Sequence, residues 1–189
     1  LYIDFANKQT DIKVCLCRYG NVLESTGSVI PFFKQLLKNG ATELPVTHKD
    51  MTRFLLTLDD AVNLIEWSYS YPTSHGKIII PIIKALKITD IAKSLGKSYG
   101  HKDIKLNYIG IRPGEKLHEA MISEPESFRT ELFTSILKDK KWSVIKPGYY
   151  MITDKILSEK SWTYSSDKSL MKSDETDKFL IKSGVLNEK

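Results

Sequence analysis

Short apolar runs alternate along the chain with amphipathic stretches, and this alternation constrains the fold more than any other feature. The runs Ile12–Cys17 and Ile104–Ile109 have the apolar, partly β-branched composition typical of buried strands. Between them, Val29–Asn39 places its apolar residues on one helical face, with Pro31 in the first turn and Gly40 just past the end. Such alternation predicts an α/β protein with a partly parallel sheet.

The remaining predicted elements continue this order. In the first half of the chain they are a helical face over Leu1–Lys8 formed by Leu1, Tyr2, Phe5 and Ala6, a loop over Arg18–Ser28, a strand over Leu44–Thr47 and a helix from Asp59 or Asp60 to Tyr69. A strand over Lys77–Pro81, a helix capped by Thr89 that runs through Leu95, and a short helix after Lys116 follow. The last element is a helix capped by Ser173, with Phe179–Ile181 as its apolar part. Ligands of parallel sheets bind beyond the carboxyl ends of the strands, where the loops Arg18–Ser28 and Arg112–Lys116 are expected.

Composition excludes several classes of protein. The 189 residues are 41% hydrophobic and 27% charged, which is typical of a globular chain. No apolar run reaches the roughly 18 residues that span a bilayer, so no membrane partner is expected. Cys15 and Cys17, the two cysteines of the chain, form a Cys-x-Cys stretch and are not expected to bridge, so a reducing cytoplasm is favoured over a disulfide-rich setting. The four histidines show no metal-ligand spacing, so no metal site is expected.

The net charge of +5 is spread along the chain rather than concentrated. Lysines alternate with acids and form no long basic run, whereas nucleic-acid-binding proteins usually carry a basic stripe with aromatic residues. No nucleic-acid partner is therefore expected.

A catalytic set is hard to assemble from this sequence. Glycine-rich dinucleotide loops, phosphate-binding loops and Gly-x-Ser-x-Gly elbows do not occur in it. The pair Asp59–Asp60 fits a helix start better than an acid–base pair. Tyr164 and Lys168 have Tyr-x-x-x-Lys spacing, but they lie in a Ser/Asp-rich polar stretch without a helical apolar face. No catalytic residue is predicted.

An anion-binding set is easier to assemble. Arg53 and Arg112 lie at the ends of elements or in Gly/Pro-marked loops, and Asn21 lies in the first loop. The planar fork of arginine matches two oxygens of a diphosphate at once, and an amide both donates and accepts. The alternative is that each arginine pairs with a surface acid.

Four strings of residues carry a resemblance to a known family: Arg18–Leu23, Gly27–Phe33, Met51–Val62 and Ile109–Glu119. In this order they resemble the C-terminal part of the inverting UDP-N-acetylglucosamine 4,6-dehydratases. These enzymes belong to the extended short-chain dehydrogenase/reductase superfamily and serve surface-polysaccharide and nonulosonic-acid synthesis. The resemblance covers residues 1–122 and, more loosely, Trp162–Ser166 and the last helix.

The resemblance implies a division of labour between two parts of such an enzyme. An N-terminal Rossmann domain holds NADP and a catalytic helix; the sugar is oxidised at C4, loses water across C5 and C6, and receives the hydride at C6. The C-terminal part binds the UDP moiety. The sequence starts Leu1-Tyr2-Ile3 without methionine, which is typical of a piece of a longer chain. The resemblance implies that it begins just after the lysine of that helix, so it is expected to lack the chemical part and to be inactive alone.

The resemblance also implies a fold and its domains. The expected fold is α/β: the last strands and helices of a Rossmann-type NAD(P)-binding fold plus the smaller substrate-binding domain. Residues 1–27 and 55–82 are expected to be the Rossmann remnant, residues 28–54 and 83–150 the UDP-sugar-binding domain, and residues 151–189 a polar tail with a terminal helix.

Matched motif positions imply the site residues. The expected substrate-binding residues are Asn21 at the diphosphate, Ser28 and Val29 at the helix start under the nucleotide, Pro45 and Thr47 beside the uracil, Arg53 and Arg112 near the diphosphate, and Glu115 beside the ribose or phosphate. Tyr19 is expected near the nicotinamide. The sequence departs from the family at Glu24 and Thr26, where glycine and arginine are usual. If the loop needs a positive φ at Glu24, the strain is roughly 1 kcal/mol.

Two other functions remain open from the sequence. One is a UDP-sugar epimerase of the same superfamily, and the other is a UDP-sugar-binding remnant without turnover. The full-length form is expected to be a homo-oligomer. The isolated chain is expected to dimerise or aggregate, because the strand Ile12–Cys17 would present unpaired edges.

Overall fold

The computed structural model describes residues 5–6, 8, 11–133, 149–153 and 155–186. These residues divide between two compact units that alternate along the chain. Unit 1 comprises the described residues within Leu1–Tyr19, Asp59–Ile83 and Ala120–Tyr164, and unit 2 those within Gly20–Leu58, Lys84–Glu119 and Ser165–Lys189.

Unit 1 is built on a four-stranded mixed sheet. Its strands, in spatial order, are β1 (Leu16–Cys17), β5 (Ile78–Pro81), β10 (Tyr149–Ile152) and β9 (Thr130–Phe133). Strand β1 runs parallel to β5, and the other two pairings are antiparallel. The helix α2 (Leu58–Ser70) buries Leu64 and Trp67 with residues of β5 and β10. The C-terminal part of the unit adds the short strand β8 (Ala120–Ile122) and helix α4 (Glu124–Ser127), and β11 (Tyr164–Ser165) stands at its boundary.

Unit 2 combines two small sheets with three helices. In the first sheet β4 (Thr52–Leu56) lies between β2 (Asn21–Val22), which is parallel to it, and β6 (Ala85–Lys87), which is antiparallel. In the second, β3 (Glu43–Val46) runs parallel to β7 (Lys105–Tyr108). The helices are α1 (Val29–Lys38), α3 (Ile88–Ser98) and α5 (Ser173–Lys182).

The core of unit 2 is one continuous apolar cluster. Helix α1 contributes Ile30, Phe33 and Leu37, which follow one another at helical spacing and are buried. Helix α3 and the strands complete the cluster, and Leu180 of α5 packs into it from the C-terminal stretch. The cluster fixes the N-terminal end of α1 beside β2 and β4, and these elements carry most of the site described below.

The predicted α/β class with parallel strand pairs is confirmed, and most predicted elements are present within a residue or two. Both cysteines are free thiols. Helix α5 begins at Ser173, so the predicted cap at this residue is wrong: the N-cap is Lys172, and the Ser173 hydroxyl donates to Asp90 Oδ2 at 2.8 Å. The part of the predicted Leu1–Lys8 helix that contains Leu1 and Tyr2 lies outside the described residues, while Phe5 and Ala6 are helical.

Several predicted elements are wrong in the structure. The predicted buried strand Ile12–Cys17 is reduced to β1, and Ile12 is 57% exposed, because β1 is an edge strand of the described sheet. The predicted loop Arg18–Ser28 contains β2, which pairs with β4. Thr89 does not cap α3; it is buried inside that helix, one residue after its start.

Two further differences concern the middle of the chain. The stretch after Lys116 does not form a helix; it bends directly into β8, and the helix α4 comes only at Glu124. The strands β4 and β6 were not predicted. Strand β4 is buried on both faces, so its sequence lacks the polar–apolar alternation that marks a strand with one solvent-exposed face.

The compact units do not follow the predicted domain boundaries in the second half of the chain. Strands β9 and β10 extend the sheet of unit 1 through hydrogen bonds to β5, although residues 83–150 were expected in the UDP-sugar-binding domain. Part of the expected tail belongs to unit 2, because α5 packs on α3 and the core. Pairings between segments that lie far apart in the sequence cannot be predicted from the local pattern of residues.

Candidate functional site

A cavity of about 530 Å³ lies within unit 2. Its walls come from β2 and the turn after it, the first half of α1, the end of β3, β4, and the segment that follows β7. Its polar lining residues are Asn21, Ser28, Gln35, Thr47, Arg53, Arg112 and Glu115, and the rest of the lining is mainly apolar. A mostly apolar cleft of this size with a few convergent polar groups is typical of a small-molecule site.

All eight residues predicted to bind substrate line this cavity: Asn21, Ser28, Val29, Pro45, Thr47, Arg53, Arg112 and Glu115. They come from five separate places in the sequence, and the fold of unit 2 brings them together. Their role in binding stays a prediction. Tyr19 is not part of the lining; it belongs to unit 1 and is 38% exposed.

The turn between β2 and α1 has the backbone conformation on which the strain prediction depended. Glu24 has a φ of +57°, and Gly27 has a φ of +76°. Glu24 is the one non-glycine residue with a positive φ among the described part of the chain. Its carboxylate pairs with the Lys34 ammonium on α1. The turn therefore places a strained residue at the position where the family usually has glycine.

The turn ends at Ser28, which stands at the N-cap of α1. Its hydroxyl makes no capping bond, and among the described residues its buried Oγ has no hydrogen-bond partner. The first turn of α1 contains no acidic residue. The partial positive charge of a helix N-terminus therefore faces the cavity without a side-chain carboxylate to offset it locally.

Arg53 is the more deeply held of the two cavity arginines, with 13% of its side chain exposed. Its Nη1 donates to the carbonyl oxygens of Thr52 at 2.8 Å and Leu117 at 3.3 Å. Its Nη2 lies 3.5 Å from Glu115 Oε1, and its Nε lies 3.6 Å from Glu119 Oε1. Arg53 therefore does pair with acids, but these acids flank the cavity instead of lying on an open surface.

Arg112 stands at the mouth of the cavity and is exposed. Its backbone N–H donates to Glu115 Oε2 at 3.3 Å, and the Glu115 N–H donates back to the Arg112 carbonyl at 3.0 Å. Gly114, with a φ of +82°, closes this turn. The turn presents the Arg112 side chain and the Glu115 carboxylate to the same cavity.

Arg18, in the first string, pairs with an acidic side chain, which is the alternative to binding an anionic ligand. In unit 1 its guanidinium donates two hydrogen bonds to Glu126, at 2.9 Å and 2.8 Å, and one to the Met121 carbonyl at 2.7 Å. Burial disfavours the charged form of Glu126, but the bonds from Arg18 and Ser123 outweigh it and lower the pKa of Glu126 to about 2. Arg18 is thus a structural residue in this arrangement.

A buried polar network behind Arg53 was missed by the sequence reasoning. Thr52 and Ser166, both almost fully buried, share a hydrogen bond of 2.6 Å, and Thr52 Oγ1 lies 2.8 Å from His118 Nδ1. Burial raises the pKa of Glu119, against the opposing effects of the Phe54 N–H, Arg53 and Lys116. The available signals were the Leu117-His118-Glu119 end of the last string and, for Ser166, the loosely matched stretch Trp162–Ser166. Phe32, a lining residue that is 43% exposed, was also missed.

The Tyr164–Lys168 spacing does not form a helical pair. Tyr164 lies in a strand, and its phenol belongs to the packing of unit 1, where it accepts from the Ile83 N–H at 2.8 Å and donates to the Ile83 carbonyl at 2.7 Å. Burial raises its pKa to about 12. In the described part of the chain, no helix has both the length and the apolar content needed to cross a bilayer.

Comparison with known proteins gives a family and several relatives. Residues 1–141 match the family described as polysaccharide biosynthesis protein. The inverting UDP-N-acetylglucosamine 4,6-dehydratase of Campylobacter jejuni subsp. jejuni serotype O:2 is 48% identical over 128 residues, which is 67% of this chain and 36% of the relative. A UDP-glucose 4-epimerase of Rickettsia canadensis is 40% identical over 118 residues, 62% of this chain and 34% of the relative.

A solved structure, that of Pen from Bacillus thuringiensis, matches with a TM-score of 0.77 and 26% identity, over 98% of this chain and 55% of that one. The chain spans about a third of the length of the two curated relatives it matches here. These matches confirm the resemblance drawn from the four strings.

Proposed function

Because the chain belongs to the polysaccharide biosynthesis protein family, we propose that the cavity of unit 2 binds the UDP moiety of a UDP-sugar. The parent activity that we propose is the 4,6-dehydration of UDP-N-acetylglucosamine. One observation carries the proposal: the eight residues matched to the substrate-binding positions of the dehydratases meet in a single cavity. Sequence similarity alone does not require this, since they come from five separate segments.

The diphosphate would lie between the two arginines and the start of α1. Arg53 and Arg112 offer two guanidinium groups, Asn21 offers an amide, and the α1 N-terminus adds its partial positive charge and the Ser28 hydroxyl, which has no partner among the described residues. A buried hydroxyl without a partner is costly, and a phosphate oxygen would relieve that cost.

The nucleoside would occupy the less polar side of the cavity. Pro45, Thr47 and Phe32 all line the cavity, and the nucleoside would contact them. The planar pyrimidine ring can pack on an aromatic or apolar side chain while a hydroxyl or backbone group bonds its edge. Glu115, between the two arginines, would accept hydrogen bonds from ribose hydroxyls.

The proposed reaction converts a hexose into a 4-keto-6-deoxy sugar with loss of one water and no net redox change. This chain's contribution would be to hold the nucleotide so that the sugar is presented to the reacting groups. NADP would be held mainly by a part of the enzyme outside these residues, because this sequence has no Gly-x-Gly-x-x-Gly loop, and Tyr19 is the residue here that is expected near the nicotinamide.

Titration calorimetry with UDP tests the proposal. We expect saturable binding by the 189-residue chain, and Arg112→Ala should weaken it by roughly tenfold, the cost of one charge-assisted hydrogen bond. Arg129→Ala is the matched control, since Arg129 is an exposed arginine of unit 1. Absence of UDP binding, or an equal loss in both variants, would contradict the proposal.

A second candidate function is epimerisation of a UDP-sugar, which the similarity to UDP-glucose 4-epimerases favours. Dehydration and epimerisation both require binding of the UDP moiety, so UDP affinities do not distinguish the two activities. The configuration and mass of the sugar product do, since dehydration removes 18 Da and epimerisation removes nothing. UDP-sugar binding without turnover would instead support a non-catalytic UDP-sugar-binding protein.

A further inference from the structure

We propose that Glu119, which does not line the cavity, is the positioning residue that fixes the Arg53 guanidinium for the ligand. The proposal rests on the proposed function, because it takes UDP as the ligand that Arg53 meets. It concerns the polar network behind the cavity, whose residues the resemblance did not assign.

Arg53 has five N–H donors, and their partners define its direction. The two bonds of Nη1 go to the backbone carbonyls of Thr52 and Leu117, so this nitrogen faces the protein. Nε faces Glu119 at 3.6 Å. Only Nη2 faces a cavity-lining group, the Glu115 carboxylate at 3.5 Å. The guanidinium therefore presents one edge to the cavity, and Glu119 holds the opposite side.

Glu119 is itself fixed by the backbone of β4. Its Oε2 accepts from the Phe54 N–H at 3.2 Å, while Oε1 faces Arg53. Strand β2 pairs with β4 at Leu55 and Leu56, the two residues that follow Phe54. One carboxylate thus joins the strand that carries Arg53 to the side chain of Arg53.

The backbone of Glu119 is held from the other side by Ser166. The Glu119 N–H donates to Ser166 Oγ at 2.8 Å, and the Ser166 N–H donates to the Glu119 carbonyl at 2.8 Å. Ser166 is fully buried and bonds to Thr52 on β4. The backbone of Glu119 is thus held through Ser166 to Thr52 of β4, and its carboxylate is held by the Phe54 N–H of β4. Because the carboxylate is fixed in this way, its position determines the orientation of the Arg53 guanidinium.

The glutamine variant isolates the charge of Glu119. Glu119→Gln keeps the size of the side chain and an oxygen that can accept from the Phe54 N–H, but it removes the ionic partner of Arg53 Nε. Glu66→Gln is the matched control, because it makes the same change of net charge at an exposed position of α2 in unit 1. UDP affinity is measured by titration calorimetry on both variants, on Arg53→Lys, and on the Arg53→Lys/Glu119→Gln double variant.

We expect Glu119→Gln to weaken UDP binding by about three- to tenfold while Glu66→Gln leaves it unchanged. In the Arg53→Lys background the glutamine should cause no further loss, since there is no guanidinium left to position. If Glu119→Gln binds UDP like Glu66→Gln, or if its effect persists fully in the Arg53→Lys background, the proposal is overturned.

A second readout does not depend on UDP. The chain has four arginines, so a correlation spectrum of arginine Nε–H groups holds at most four signals, and Arg53→Lys identifies one of them. We expect Glu119→Gln to move the Arg53 signal and Glu66→Gln to leave it in place. If the wild-type chain fails to bind UDP, the proposed function is wrong. An Arg53 signal that does not move in Glu119→Gln would then overturn the positioning role as well. An Arg53 signal that moves in this variant would support the positioning role independently of UDP.

Discussion

Glu24 holds a backbone conformation that glycine adopts far more readily. Its φ of +57° brings Cβ close to the following carbonyl, which costs a non-glycine residue roughly 1–2 kcal/mol. The ion pair with Lys34 offsets part of this cost, since such partly exposed pairs contribute up to about 1 kcal/mol. The turn that leads into α1 is therefore a place where one side chain decides stability.

Glu24→Gly and Glu24→Ala separate these two effects at the residue scale. Both variants lose the pair with Lys34, so their difference reports the backbone alone. We expect the glycine variant to be more stable than the alanine variant by about 1 kcal/mol in the free energy of unfolding from denaturant titration. Equal stability, or a more stable alanine variant, would mean that the turn does not hold a positive φ in solution.

At the element scale, the close approach of β2 to β4 depends on Gly20. A Cβ at this position would lie 2.4 Å from the Phe54 Cβ and 2.4 Å from the Phe54 carbonyl oxygen. These distances are too short for non-bonded atoms, and the carbonyl belongs to the central strand of the sheet. Position 20 thus requires glycine because any side chain would collide with Phe54. At other glycines, such as Gly40, only the positive φ favours glycine.

Gly20→Ala should therefore destabilise the chain more than Gly40→Ala. Gly40 has a φ of +80°, but a Cβ there would meet no atom within 4 Å, so its replacement costs only the strain of about 1 kcal/mol. For Gly20→Ala we expect about 3 kcal/mol, because the strands must separate to admit the methyl group. Thermal and denaturant unfolding of the two variants measure this difference, and the reverse order would argue against the described packing of β2 on β4.

On the scale of the whole molecule, the described sheet of unit 1 ends in β1, whose neighbour Ile12 is 57% exposed. Edge strands with apolar neighbours pair readily with other chains. Helix α2 offers a second apolar surface, formed by the exposed side chains of Leu58, Val62, Ile65 and Tyr69. Either surface accounts for the self-association expected of the isolated chain.

Two lysine substitutions distinguish these surfaces. We expect the wild-type chain to sediment as dimers or larger species, and Ile12→Lys to shift it towards the monomer, because a charge beside an edge strand opposes pairing. Val62→Lys is the matched control on α2. A monomeric wild-type chain with cooperative melting would refute the expectation, and a shift caused only by Val62→Lys would place the association on the helix.

The sequence by itself determined the order of the main elements and indicated eight of the residues that line the cavity. Helix α1 was predictable because its apolar spacing, Pro31 and Gly40 are local signals. Six of the eight predicted cavity residues lie in strings long enough to be matched to a family, whereas Pro45 and Thr47 come from the stretch between two of these strings. The strain at Glu24 was also foreseen, since a departure from glycine is visible in the sequence alone.

Only the tertiary structure decided what depends on contacts between distant segments. Strand β4 was not predicted because both its faces are buried. The division into units depends on strand pairings such as that of β10 with β5. The support of Arg53 by Glu119 and Ser166 joins residues up to 113 positions apart in sequence (53 to 166). Hydrogen bonds of this kind follow from how the chain is folded back on itself, and no local pattern of residue types specifies them.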